Sequence, residues 1–248
     1  MTMVRDEAVF LPIWLRYYSR FFEPDDIYVL DHGSTDGSTE REGFVRLPVE
    51  HPTVDHAWRL RAVEEQQRRL LEDYDVVLSV DVDEIVAPDP DWGTLGDYLE
   101  GFREEFVNCL GYEILHLPDR EPPLRPELPI MEQRGHWFAA EGYDKPVLAT
   151  EPLSWKPGFH SRTDERWNLD PDLRLIHLHR VDYEICHERH RTWRERAWSD
   201  QDLSEGWAAH NRIADDEEFD RWFYSGTCSE GDAEVVVERI PARWRTVF

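Results

Sequence analysis

Lysine is almost missing from this chain. Only Lys145 and Lys156 stand among 28 lysine and arginine residues, and 53 acidic residues leave a formal net charge of −25. An excess of that sign excludes bulk electrostatic coating of nucleic acid or anionic membrane, although a locally basic groove stays open. Cysteine is scarce too. Cys109, Cys186 and Cys228 are far apart, odd in number and form no C-x-x-C pair, so no disulfide framework is expected and a reducing compartment is. No apolar run approaches the ~18 residues that span a membrane. The acidic pair Asp6-Glu7 arrives too early for a signal or transit peptide. These absences together predict a soluble, cytoplasmic protein without a transmembrane segment.

What is present suits a globular domain. The 248 residues are 40% hydrophobic, enough for a sizeable core in one large α/β domain or two small ones. Met1-Thr2-Met3-Val4 reads as a very short strand. Leu11, Trp14, Leu15 and Tyr18 recur at i, i+3, i+4 and i+7, one apolar helix face, with Pro12 tolerated in the first turn. Strands follow at 27–30 and 44–49, a helix at 57–73, and a strand at 75–80. This alternation is the pattern of a sheet covered by helices. Beyond it the sequence predicts a helix near 95–106, strands at 109–117 and 145–155, a proline-rich excursion at 118–130, a strand at 173–179 and a charged helix at 183–198. The expected organisation is a domain over 1–183 with a helical C-terminal extension over 184–248.

The chain is organised around Val76-Val77-Leu78-Ser79-Val80-Asp81-Val82-Asp83-Glu84. A near-continuous apolar run enters three carboxylates, as in a parallel strand buried on both faces. Ligands of such sheets bind beyond the carboxyl ends of the strands. Asp81, Asp83 and Glu84 would sit there, where oxygen ligands hold a hard divalent cation. Clustered like charges at a strand end are costly unless a cation offsets them. The loop Asp31-His32-Gly33-Ser34-Thr35-Asp36-Gly37-Ser38-Thr39 follows the 27–30 strand in the same way, although an ordinary Asx/Gly turn also explains its glycines.

Three stretches taken as a set carry a resemblance: Val4-Arg5-Asp6-Glu7, Val29 to Ser38, and Leu78 to Glu84. In that order and at those separations they resemble a family 2 type glycosyltransferase, in the branch with a D-V-D-E turn. The likeness covers about the first 90 residues and weakens towards 183. It implies a GT-A fold, a Rossmann-like, mostly parallel sheet flanked by helices, and transfer of a sugar from a nucleotide-diphosphate donor, a UDP-sugar by the match, to an acceptor hydroxyl with inversion. Asp31 would then bond the base, and Arg5, Asp6, Glu7, Ser34 and Asp36 would shape the nucleoside pocket. Asp83, supported by Asp81, would hold Mn²⁺ or Mg²⁺ against the donor diphosphate, stabilising the leaving group. His32 stands where the family commonly has a second acidic residue.

Related enzymes often complete the metal shell with a late histidine. His160, in the turn Pro157-Gly158-Phe159-His160-Ser161, and His179 are the candidates. His177 shares a strand face with His179. His187 and His190 read as solvated residues of the charged helix. Inversion also requires a general base, for which Glu141 and Asp144 qualify by position and Glu113 is a further candidate. Lys145 and Arg180 are candidates for phosphate contacts. The acceptor is open: a glycan, a metabolite, a protein or a single flipped base all fit, whereas an extended nucleic-acid footprint does not. Two rivals stand beside this reading. One is a non-catalytic nucleotide-sugar-binding module. The other is a haloacid-dehalogenase-like phosphohydrolase, which shares an apolar strand running into D-x-D but needs a small Gly-Thr where Glu84-Ile85 stand.

Overall fold

A computed structural model describes residues 1–225 and 236–248; Cys228 lies outside the described residues. Strands β1 (Thr2–Val4), β2 (Tyr28–Asp31) and β3 (Val45–Pro48) pair in parallel in the order β1-β2-β3. Helix α1 (Phe10–Tyr18) connects the first two. Leu11, Trp14 and Tyr18 of the face that the spacing predicts are buried, Leu15 is half-buried, and Phe10, Ile13 and Tyr17 are buried beside them. Burying side chains of this size contributes roughly 1.5–3 kcal/mol each. Pro12 is the third residue of the helix, where no intrahelical donor is lost.

After α2 (His56–Leu70), capped by Asp55, comes β4 (Val77–Leu78). The Val80 amide donates to the Met1 carbonyl at 3.2 Å and the Met1 amine to the Leu78 carbonyl at 2.6 Å, the bonding pattern of a parallel pair. The end of β4 therefore runs beside β1. Val4-Arg5 and Asp81-Val82-Asp83 leave the sheet at neighbouring points.

The chain then departs from the expected pattern. Turn 81–84 leads directly into a strand that the spacing does not predict, β5 (Glu84–Pro88), buried along its whole length and pinned to α1. Tyr17 donates to the Val86 carbonyl at 2.8 Å and Tyr18 to the Glu84 carbonyl at 3.2 Å. Helix α3 (Leu95–Gly101) stops five residues earlier than the sequence predicts. Strand β6 (Phe106–Ile114) begins earlier, because Phe106 and Val107 pair with β8 (Pro146–Ala149). Helix α4 (Ile130–Gln133) and strand β7 (His136–Ala139) lie between β6 and β8, and β9 (Leu169–His177) pairs with both β5 and β6.

The expectation of a mostly parallel sheet is corrected here. Among the described residues five strand pairings are antiparallel and three parallel. The alternating pattern that predicts parallel strands holds only as far as β4. Past it the connections between strands carry short helices or none, too little for parallel crossovers throughout. The architecture is mixed α/β with a small parallel sheet and a larger, mainly antiparallel one.

The last quarter of the chain supplies α5 (Tyr183–Arg194), α6 (Asp200–Glu205) and α7 (Asp216–Phe223). It also returns to the sheet, since β10 (Glu238–Arg239) pairs antiparallel with β7. No helix among the described residues is long and apolar enough to cross a membrane.

Candidate functional site

Strand register assembles the centre of the site. Glu84 of β5 lies opposite His177 of β9, and the Leu178 amide donates to the Asp83 carbonyl at 2.8 Å. Asp83 is thereby locked beside the alternating histidines. In the β6–β9 ladder Glu113 lies opposite His177, and its carboxylate accepts from His177 Nδ1 at 2.6 Å and from the Arg180 amide at 3.1 Å. His177 Nε2 then lies 3.5 Å from Asp83 Oδ2. Ligand atoms of Asp83, His177 and His179 all fall within 4.8 Å of one another, and all three residues are buried. A histidine anchored through one ring nitrogen by a carboxylate, with the other nitrogen facing a second carboxylate, is the arrangement that orients metal ligands.

Charges surround this centre. Lys145 bonds Asp81 at 3.1 Å and Glu84 at 2.5 Å, and Arg59 pairs with the other Asp81 oxygen. Burial alone would raise the Asp81 pKa, but Arg59 and Lys145 outweigh it and hold the carboxylate ionised. Burial dominates at Glu84 and raises its pKa despite Lys145. Burial would likewise raise that of Asp83, yet Arg189 and His177 hold it well below the usual carboxylate range. Arg189 of α5 pairs with Asp83 and, at 2.7 Å, with Glu7. Burial favours a neutral His177, but Glu113 and then Asp83 override it and raise its pKa well above that of a free imidazole. His179 goes the other way, lowered by burial and by His190.

These groups open onto a cavity of about 1080 Å³. Its walls carry Arg5, Arg59, Lys145, Arg189, Arg196 and Arg221 against Glu7, Asp55, Asp81, Asp83 and Glu218. A chain of net charge −25 thus presents a slightly basic cavity, suited to an anion. The Arg5 side chain makes no hydrogen bond or ion pair among the described residues. His32 and Trp58 offer flat rings on the same wall, with centroids 4.7 Å apart.

Of the residues singled out from sequence, Arg5, Glu7, His32, Asp81, Asp83, Lys145, His160, His177 and His179 line the cavity. His160 reaches it through a strained turn, with Gly158 at φ +90 and Phe159 at φ +61. A Cβ on Gly158 would lie 2.6 Å from the His160 ring, so the turn requires glycine. Burial and the nearby Lys145 lower the His160 pKa to about 3.

Asp6, Asp31, Ser34 and Asp36 fall outside the cavity lining and bind one another's loops. Asp31 accepts from the Ser34 amide at 2.8 Å, the Thr39 hydroxyl at 2.8 Å and Arg46 Nε at 2.7 Å. Asp36 accepts from the Ala8 amide, Asp6 from the Thr35 amide, and Ser34 Oγ from the Asp6 amide. Loop 31–39 therefore acts as a brace for residues 5–8. Glu141 is exposed, and Asp144 spends a carboxylate oxygen on the Gly111 amide at 2.7 Å. Neither faces the cavity.

The sequence reading missed Arg189 and underrated His177 and Glu113. It also placed His190 in solvent, whereas His190 is 1% exposed and its Nε2 lies 2.8 Å from His179 Nε2. A usable signal existed: Cys186, Arg189 and His190 stand at i, i+3 and i+4, one helix face. Glu113 and His177 meet only through strand register, which no local motif encodes. A second histidine-rich group, His179, Cys186 and His190, is closed by this His179–His190 bond and covered by Trp222, whose ring lies 4.5 Å from that of His190.

No protein-family model matches the chain, and no curated protein matches it.

Proposed function

We propose that the chain is a metal-dependent glycosyltransferase of GT-A type that uses a nucleotide-diphosphate sugar, with uridine diphosphate as the carrier. One observation carries the reading. The D-V-D-E turn, reached from the sequence resemblance, meets His177 and His179 on the wall of a basic cavity wide enough for a nucleotide sugar. The donor set fits a divalent transition metal: one carboxylate oxygen and two imidazole nitrogens, with His177 oriented by Glu113. When bound, such a cation supplies charge to the departing diphosphate.

The chain's own residues account for the rest. Asp81 serves as a support that fixes Lys145 and Arg59 at the cavity wall. Arg5, whose side chain makes no hydrogen bond or ion pair among the described residues, takes a phosphate oxygen, and the rings of His32 and Trp58 pack the base. His160 contributes from its glycine-dependent turn. The general base moves from Glu141 and Asp144 to Glu218 of α7. Among the described residues Glu218 is the cavity-lining carboxylate whose side chain makes no hydrogen bond or ion pair.

The test is release of UDP from a panel of UDP-sugars with Mn²⁺ and candidate acceptors. Glu218→Gln is expected to lower turnover by about 10²-fold or more while leaving donor binding intact. Full turnover in that variant would remove Glu218 from the chemistry. Tight donor binding without turnover on any acceptor, in the unaltered protein, would instead favour a non-catalytic nucleotide-sugar-binding module. That reading draws on the ion pairs that already engage Glu7, Asp81 and Asp83.

A further inference from the structure

Helix α5 delivers two adjacent residues to the centre of the site. His190 bonds His179, and Arg189 reaches Asp83. Arg189 is held on three sides. Its Nε and Nη2 both donate to Glu7 Oε1, at 3.2 and 2.7 Å, its Nη1 donates to Asp83 Oδ2, and its guanidinium lies 4.6 Å from the Phe10 ring centroid. The oxygen it engages on Asp83 is the one that faces His177 Nε2. A divalent cation held by Asp83, His177 and His179 would therefore lie against this guanidinium, and two positive charges repel strongly in a buried site.

The geometry offers a limited exchange that leaves α5 in place. Glu7 anchors Arg189 through Nε and Nη2, so only the Nη1 bond must break to release Asp83. Arg189 also lines the cavity, where a donor diphosphate would lie. We infer that Arg189 is a tethered cation, anchored on Glu7, that holds Asp83 until a divalent cation takes that carboxylate and then offers its freed Nη1, in place, to the donor diphosphate. Arginine suits the role because two of its nitrogens stay anchored on Glu7 Oε1 while the third changes partner; lysine has no such division. The inference rests on the metal-dependent transferase reading.

This role predicts opposite changes in two affinities. Mn²⁺ binding to the nucleotide-free protein, read by electron paramagnetic resonance of the free ion, should tighten about tenfold or more in Arg189→Gln, because a competing charge is removed. UDP binding at saturating Mn²⁺, read by calorimetry, should weaken by about tenfold in the same variant. Arg189→Lys keeps the charge and loses the fork, so Mn²⁺ affinity should stay near that of the unaltered protein while UDP affinity falls. If Arg189→Gln does not fold, as judged by its melting curve, the lysine variant carries the test alone.

Mn²⁺ binding no tighter in Arg189→Gln, or both affinities falling together, would overturn the inference and leave Arg189 a structural ion pair. In the lysine variant, unchanged UDP affinity would do the same. Asp83→Asn separates the two levels. Mn²⁺ bound by the unaltered protein and lost in Asp83→Asn upholds the metal site even when the Arg189 result is negative. Mn²⁺ bound by none of these proteins sinks the metal site and the inference together.

Discussion

The loop 31–39 and the turn 81–84 both follow short strands and both carry clustered carboxylates, yet their charges are satisfied from very different distances along the chain. Asp31 and Asp36 are answered mainly from nearby: Ser34, Ser38, Thr39 and Arg46, with the Ala8 amide the one remote donor among the described residues. Asp81 and Asp83 are answered by Arg59, Lys145, His177 and Arg189, drawn from α2, the residue just before β8, the end of β9 and α5. A turn that satisfies itself becomes a brace. A turn whose carboxylates draw cations from four remote points of the chain becomes a place where charge is concentrated.

The comparison is sharpened most by removing a remote partner. Lys145→Met leaves Asp81 with one cation and the buried Glu84 with none, and stranding a buried charge costs about 3–5 kcal/mol. A denaturant melt of that variant should show a loss of this size. A loss under about 1 kcal/mol would mean that the turn does not depend on its remote partners.

The local network predicts a smaller effect. Asp31→Asn keeps the shape but weakens acceptance from Thr39 and Arg46, and should cost about 1–3 kcal/mol with little change in metal binding. Its pH dependence has a definite sign. Burial would raise the Asp31 pKa, but the bonds from Ser34, Thr39 and Arg46 outweigh it and lower it. The contribution is therefore complete above the unfolded-state pKa of about 3.9 and is lost as pH falls through the lower folded value. The stability gap between the unaltered protein and Asp31→Asn should close in acid; a gap that widens there would contradict the assignment.

Smallest of all is the exposed Glu141. Glu141→Gln should change stability by less than about 0.5 kcal/mol and leave turnover untouched. A large fall in turnover would return the base to the position that the sequence suggests.

This contrast also explains how much was legible in advance. The α1 face, the parallel β1–β2 pair and the acidic turn are written locally, as helical spacing and as apolar runs ending in aspartate, and could be read directly. Loop 31–39 was equally visible, but its function was not. Asp-x-x-Ser and Asp-x-Ser look the same whether the carboxylate awaits a ligand or caps its own turn, and only the placement of Arg46 and Thr39 decides. The antiparallel part of the sheet was misjudged because β5 follows turn 81–84 without an intervening helix, and an apolar strand looks alike in either direction. Glu113 and His177 are 64 residues apart and meet through register alone. Arg189 is 106 residues from Asp83. In a chain with so many charged residues, no spacing rule picks out those partners.

The central claim is that turn 81–84, and not loop 31–39, holds the metal that serves a nucleotide diphosphate. Calorimetric titration of UDP, GDP, TDP and CDP into the protein, each with Mn²⁺ and with EDTA, tests it most directly when repeated on Asp83→Ala. The account predicts binding of UDP with Mn²⁺ that disappears with EDTA and in Asp83→Ala. Equal binding with EDTA, or unchanged metal-dependent binding in Asp83→Ala, would contradict it.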